Sequence, residues 1–198
     1  MKGYGSTLSP FTRKVRVAAI ETGQDNLIEW EMVVMAERPA ALAENNPLDK
    51  VPVVILDDGR QLYDSPVICE YLDNLHDGPK LIPKDGETRW EVLRLQALGD
   101  GVCDAAVLYG AEMRRPESYC FQPFIERQVA KIVAGLNRLE EEIEQLDGPL
   151  TIAPIAVATG MGYMEFRECL PAWREKRPRL AAWYETFCRR PSMVETAY

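Results

Sequence analysis

The sequence predicts an α/β segment followed by an all-α segment, and three observations predict it. Short β-type runs and helical stripes alternate through residues 1–78, in the order β-α-β, a short α, then β-β-α. A polar stretch with Gly78-Pro79 and Pro83 follows and reads as a linker. Beyond it, through residues 86–198, strand signals vanish and only helical periodicity remains. A mixed run followed by an all-helical run predicts two domains.

Each element has its own reason. Lys2–Gly5 is a short first strand. Phe11–Gly23 places Val15, Ala18 and Ala19 on one helical face, with Gly23 as a stop. Ile28–Val34 alternates Ile28, Trp30 and Met32 with Glu29 and Glu31, a strand pattern. Arg38–Asn45 is a short helix ended by Asn46-Pro47. Val51–Leu56 is β-rich, Asp57-Asp58-Gly59 signals a hairpin turn, and Gln61–Tyr63 returns. Val67, Ile68, Tyr71, Leu72 and Leu75 then trace a helical stripe. In the second segment, helices are expected over Glu87–Met113, Phe124–Leu146, Ile152–Cys169 and Arg179–Arg190. The acidic run from Glu140 to Glu144 is a solvated face.

Bulk properties narrow the function. With 31 acidic against 23 basic residues the formal charge is −8, which lacks the basic footprint of a nucleic-acid binder. Lys2, Arg13, Lys14 and Arg16 interrupt any leader-like apolar run, and Leu150–Met164 is too short and broken to span a bilayer. The expectation is a cytoplasmic protein with no membrane partner. The five cysteines, Cys69, Cys103, Cys120, Cys169 and Cys188, form no C-x-x-C pair, so reduced thiols are expected. His76 stands alone on the linker as a surface residue, and no metal site is expected.

Four short segments carry chemistry. Ser9-Pro10-Phe11-Thr12-Arg13-Lys14 puts a hydroxyl at a strand-to-helix junction, with Pro10 suited to the first turn. Such a serine serves either as a helix N-cap or as a donor to an anion. Ser6 and Thr7 are neighbouring alternatives. Asn46-Pro47-Leu48-Asp49-Lys50-Val51-Pro52-Val53 is a proline-bounded turn before a strand. Asp64-Ser65 opens an apolar helix, as a plain cap or as an anion site. Leu150-Thr151-Ile152-Ala153-Pro154 opens another.

Order and spacing of these segments resemble the glutathione S-transferase family over almost the whole chain. The likeness is to bacterial members opening with Ser-Pro-Phe, and to the zeta and tau classes. It implies a thioredoxin-like N-terminal domain, an all-helical C-terminal domain and a homodimer. Ser9 would face the glutathione sulfur, and the Val51-Pro52 bond would be cis, with Val51 pairing the cysteinyl backbone. Lys50, and Arg38 in a poorly matching loop, would meet the glycine end. Ser65 would take the γ-glutamyl carboxylate and Asp64 the ammonium. Asp49 departs from the family's glycine. Pro154 stands where the family has Asp, so Thr151 can cap but the reciprocal bond is lost and the helix should be less stable.

The implied activity is transfer of glutathione to a small electrophile held near Ala105, Tyr109, Met113 and Phe166, with no metal. Asp100 and Asp104 on the same helix could reach ligand or partner, although a solvated or capping role is the simpler one. A thiol of pKa about 8.5 needs roughly 2.7 kcal/mol to drop two units. One charge-assisted hydrogen bond of about 1.5–3 kcal/mol plus the helix dipole supplies it. The alternatives are a non-catalytic binding or scaffold protein and a glutathione-dependent isomerase.

Overall fold

The computed structural model describes residues 1–37 and 39–198. The N-terminal part holds β1 (Lys2–Gly5), α1 (Pro10–Glu21), β2 (Glu29–Met32), α2 (Ala40–Asn45), β3 (Val53–Ile55), β4 (Gln61–Leu62) and α3 (Ser65–Asn74). The strands form one four-stranded sheet in the order β2-β1-β3-β4. β1 runs parallel to β2, with Gly3 opposite Trp30, and antiparallel to β3, with Tyr4 opposite Val53. The β1-α1-β2 crossover and the β3-β4 hairpin make the thioredoxin-like half expected from the sequence.

The rest is helical: α4 (Glu87–Met113), α5 (Gln122–Glu141), α6 (Ile152–Phe166), α7 (Pro178–Phe187) and α8 (Pro191–Glu195). α6 is buried from Ile152 to Met164, so it is the axle of this half. α4 lies against it at backbone distance. A Cβ on Gly99 would sit 2.6 Å from the Val157 nitrogen, and one on Gly160 would sit 2.7 Å from the Gly99 oxygen.

The helical half departs from expectation in three places. The helix expected over Phe124–Leu146 stops at Glu141, and Ile143–Leu146 tightens into a 3₁₀ turn that buries Ile143 and Leu146. The last expected helix, Arg179–Arg190, is α7 and ends at Phe187, and a short α8 that was not expected follows it, because Pro191 cannot continue α7 but suits a first turn. Thr151 precedes α6, but its side chain makes no capping bond. Instead the Ile152 N–H donates to the Leu81 carbonyl at 2.9 Å. Pro154 is accommodated in the first turn, where N–H groups lack intrahelical partners.

That contact belongs to a set that locks the halves together. The buried Asp73 carboxylate of α3 accepts from the Leu81 and Ile82 N–H groups at 2.7 and 3.0 Å. His76, expected on the surface, is half-buried with Nε2 3.2 Å from Asp73 Oδ1. Arg190, just before α8, donates to both oxygens of Glu21 on α1 at 2.7 Å each. This holds the Glu21 carboxyl below its usual value, chiefly through the Arg190 hydrogen bonds. Among the described residues, no helix is long and apolar enough to cross a membrane.

Candidate functional site

Ser9 is the N-cap of α1, with φ −92° and ψ 118°. Its Oγ accepts from the Thr12 N–H at 3.2 Å. Capping uses one lone pair of the hydroxyl and leaves its hydrogen free. The two roles open to Ser9 in the sequence are therefore compatible: the oxygen caps inward and the O–H donates outward. Ser6 is buried, and its Oγ accepts from the Leu8 N–H at 3.4 Å. Thr7 is exposed.

The second segment is organised by Asn46, which the sequence reading used only as a helix stop. Its Nδ2 donates to the Lys50 carbonyl at 2.8 Å, and its Oδ1 accepts from the Leu48 N–H at 3.0 Å. Asp49 stands at φ 51°, the left-handed region a glycine would occupy. Aspartate is among the few residues that tolerate it, so the departure from the family's glycine preserves the loop. The Val51-Pro52 bond is cis, and so is Tyr63-Asp64. Among the described residues, the Val51 backbone N–H and C=O take no partner, which leaves an edge open to an extended peptide.

At the third segment, Ser65 begins α3, is only 1% exposed, and its Oγ has no partner among the described residues. A buried hydroxyl at a helix start, without a bond, is a ready place for an anionic group. Asp64 precedes it, exposed, and makes no side-chain cap. Lys50 is also exposed. Arg38 lies outside the described residues.

Beneath these loops runs a charged seam between the halves. Lys14 of α1 is 1% exposed and donates to both oxygens of Asp100 on α4 at 2.8 and 2.7 Å. Burial raises the Asp100 pKa, with Lys14 opposing. Burial also raises Asp104, and the charge on Asp100 adds to the rise while Lys50 opposes it. Asp100, Asp104 and Asp64 thus share one electrostatic neighbourhood with Lys14 and Lys50. Asp100, paired with Lys14, is not the freely solvated group that the sequence suggested, whereas Asp104 is exposed. Burial pushes the Cys69 and Cys169 thiols up to about 12.

The electrophile residues are divided. At about 100° per residue, Ala105, Tyr109 and Met113 fall on the far side of α4 from Asp100 and Asp104. Ala105 is 2% exposed in the core, and the neighbouring Val102 meets α5 at Gly135. The half-buried Val107 and the exposed Ala111 continue the Asp104 face. Phe166 differs, for its ring is exposed at the end of α6 and stacks on Tyr198 at 4.8 Å. Tyr198 covers the Arg13 guanidinium at 4.8 Å, and Arg13 lies one turn from Ser9. The sequence reading missed the buried Lys14–Asp100 pair and the Arg13–Tyr198 contact. The available signal was three cations, Arg13, Lys14 and Arg16, in a helix otherwise rich in Val and Ala. Among the described residues, no group of three or more His, Cys, Asp or Glu side chains is placed to hold a metal.

Comparison with known proteins agrees with this geometry. Residues 4–80 match the family model of the glutathione S-transferase N-terminal domain. The uncharacterised GST-like protein YibF of Escherichia coli (strain K12) is 34% identical over 99% of this chain and 98% of its own. A glutathione transferase family member from Pseudomonas fluorescens Pf-5, solved with bound glutathione, superposes with a TM-score of 0.96 at 42% identity, covering 99% of this chain and 98% of the other. A second structure from Pseudomonas fluorescens Pf-5, with bound S-(propanoic acid)-glutathione, gives a TM-score of 0.91 at 41% identity with the same coverage. Sheet order, loop geometry and full-length likeness together place this chain in the glutathione S-transferase family.

Proposed function

We propose that the protein is a glutathione transferase that stabilises the glutathione thiolate with a serine. The observation that carries the reading is the buried Ser65 hydroxyl at the start of α3, which has no partner among the described residues. Glutathione supplies the nucleophilic sulfur. Ser65 and the α3 N-terminus receive its γ-glutamyl carboxylate, and Asp64 its ammonium. Val51 pairs with the cysteinyl backbone in the manner of an added strand. Lys50 meets the glycine carboxylate. The Ser9 O–H donates to the sulfur, aided by the positive end of α1. The thiolate then bonds to an electrophilic carbon, which releases a leaving group or takes up a proton.

The Pseudomonas fluorescens relative with S-(propanoic acid)-glutathione supports a site that accepts a substituent on sulfur. Dimerisation is part of the same reading. Val67 of α3 and Trp90 of α4 are 46% and 63% exposed, apolar surface suited to a second copy. Light scattering at micromolar concentration tests it, and a monomer would contradict it.

The deciding experiment is calorimetric titration with glutathione, together with the ultraviolet absorbance of the bound thiolate against pH. Binding with a thiol pKa below the free value of about 8.5 is expected. No binding at millimolar glutathione would leave a scaffold protein.

A further inference from the structure

We infer that the electrophile side of the cleft is built for substrates that carry a carboxylate, and that Arg167 receives it. The inference rests on the glutathione-transferase reading above and names the substrate class of that site.

Arg167 follows α6 as its C-cap. Its Nε donates to the Tyr163 hydroxyl at 2.9 Å. The guanidinium lies 5.0 Å from the Tyr163 ring centroid and 4.7 Å from that of Phe166. Its stem rests on Gly110 of α4, where a Cβ would come within 3.1 Å of Arg167 Cδ. The plane is held on three sides, yet one neutral phenol is its only side-chain partner among the described residues. An arginine has five N–H donors, and the outer pair forms a fork that matches a carboxylate.

Three arginines that join separate elements are satisfied. Arg190 grips Glu21, Arg89 reaches Glu70, and Arg177 binds Asn137. Arg13 also lacks a carboxylate, but Thr196, the Met193 carbonyl and the Tyr198 ring enclose it. The acid nearest in sequence on α6, Glu165, is engaged elsewhere: it accepts from Trp173 Nε1 at 2.8 Å and pairs with Arg174. Arg167 therefore combines a rigid mount with open donors.

Its position follows from α6. Gly160 meets α4 and Gly162 meets Arg13 of α1, so Tyr163, Phe166 and Arg167 lie at the edge between those two helices. Tyr198 joins this edge to Arg13, one turn from Ser9. Arg167 presents a cation at this edge, which orients an acidic electrophile with its anionic end toward it. Stacking on two rings keeps the guanidinium from losing much freedom on binding.

The test uses three ligands and calorimetry: glutathione, S-propylglutathione and S-(2-carboxyethyl)glutathione, each with the full chain. The carboxyethyl compound should bind the parent roughly ten- to a hundredfold tighter than the propyl one. In Arg167→Leu that ratio should collapse toward one, through loss of affinity for the carboxylate ligand alone. In Arg167→Lys it should be intermediate, because lysine offers a point charge and no fork. Equal affinities in the parent, or a preference that survives in Arg167→Leu, would overturn the inference. Should Arg167→Leu fail to fold, the parent's preference and Arg167→Lys decide the matter. Glutathione titrated in parallel separates the two readings. If it binds while the S-substituted pair bind alike, the carboxylate inference fails and the transferase reading stands. If no ligand binds, both fall.

Discussion

The proposed tripeptide side and the proposed electrophile side of the cleft are built differently. On the tripeptide side the working groups are local: an N-cap at Ser9, a loop pinned by Asn46 before Val51, and a helix start at Ser65. Each is made by a few consecutive residues, and much of the chemistry belongs to backbone N–H and C=O groups. On the electrophile side the groups come from α1, α4, α6 and the chain end. Arg13, Tyr198, Phe166 and Arg167 touch only because those elements pack. A site of the first kind constrains the sequence strongly over short runs. A site of the second kind leaves each helix free to vary, which suits a surface that must fit different substrates.

The largest effect that would sharpen this contrast lies in the seam between the two sides. Lys14→Met leaves Asp100 in place with its partner gone. Urea unfolding should show a loss of about 3 kcal/mol, while Lys14→Met combined with Asp100→Leu should recover most of it. A loss well under about 1 kcal/mol in the single variant would mean that water screens the pair.

Next comes Ser65→Ala. Among the described residues the hydroxyl has no bond, so its removal should not lower the melting temperature. Glutathione affinity should nevertheless fall by about 1.5–3 kcal/mol at every pH. Loss of stability with unchanged affinity would assign Ser65 to the core instead of the site.

Ser9→Ala should show both roles of its residue. Losing the cap bond to Thr12 costs about 1 kcal/mol of stability. Turnover at neutral pH should fall, and the deficit should shrink as pH rises and the thiol ionises unaided. Ser9→Thr keeps both cap and donor and should restore both readouts. An unchanged thiol pKa in Ser9→Ala would move attention to Thr7.

The smallest effect concerns Asp104, whose folded pKa is raised by burial and by Asp100 above the ordinary 3.8. A carboxyl with a raised folded pKa favours the folded state below its unfolded pKa, and that benefit is lost as pH rises through the folded value. Asp104→Asn should therefore stabilise at pH 7, by less than about 1 kcal/mol because the residue is exposed and water screens its charge. The gain should disappear below pH 3.8. Melting curves across pH check this, and a gain that persists in acid would argue for a packing effect.

How far the sequence alone reaches follows from the same contrast. It determined the α/β-then-α order, because a period of two or of 3.6 is written in consecutive residues. It also set Ser9 and Ser65 at helix starts and Val51-Pro52 in a turn, because turn, cap and helix-start chemistry is local. Tertiary structure decided that Pro191 starts a separate helix, that Leu81 and not Thr151 satisfies the start of α6, and that Ala105 lies in the core. It also decided that Arg167 keeps open donors while Arg13 is enclosed. Helical periodicity says that one face is apolar but not which neighbour that face meets. An arginine's partners lie across the fold, far from it in sequence, and only packing names them.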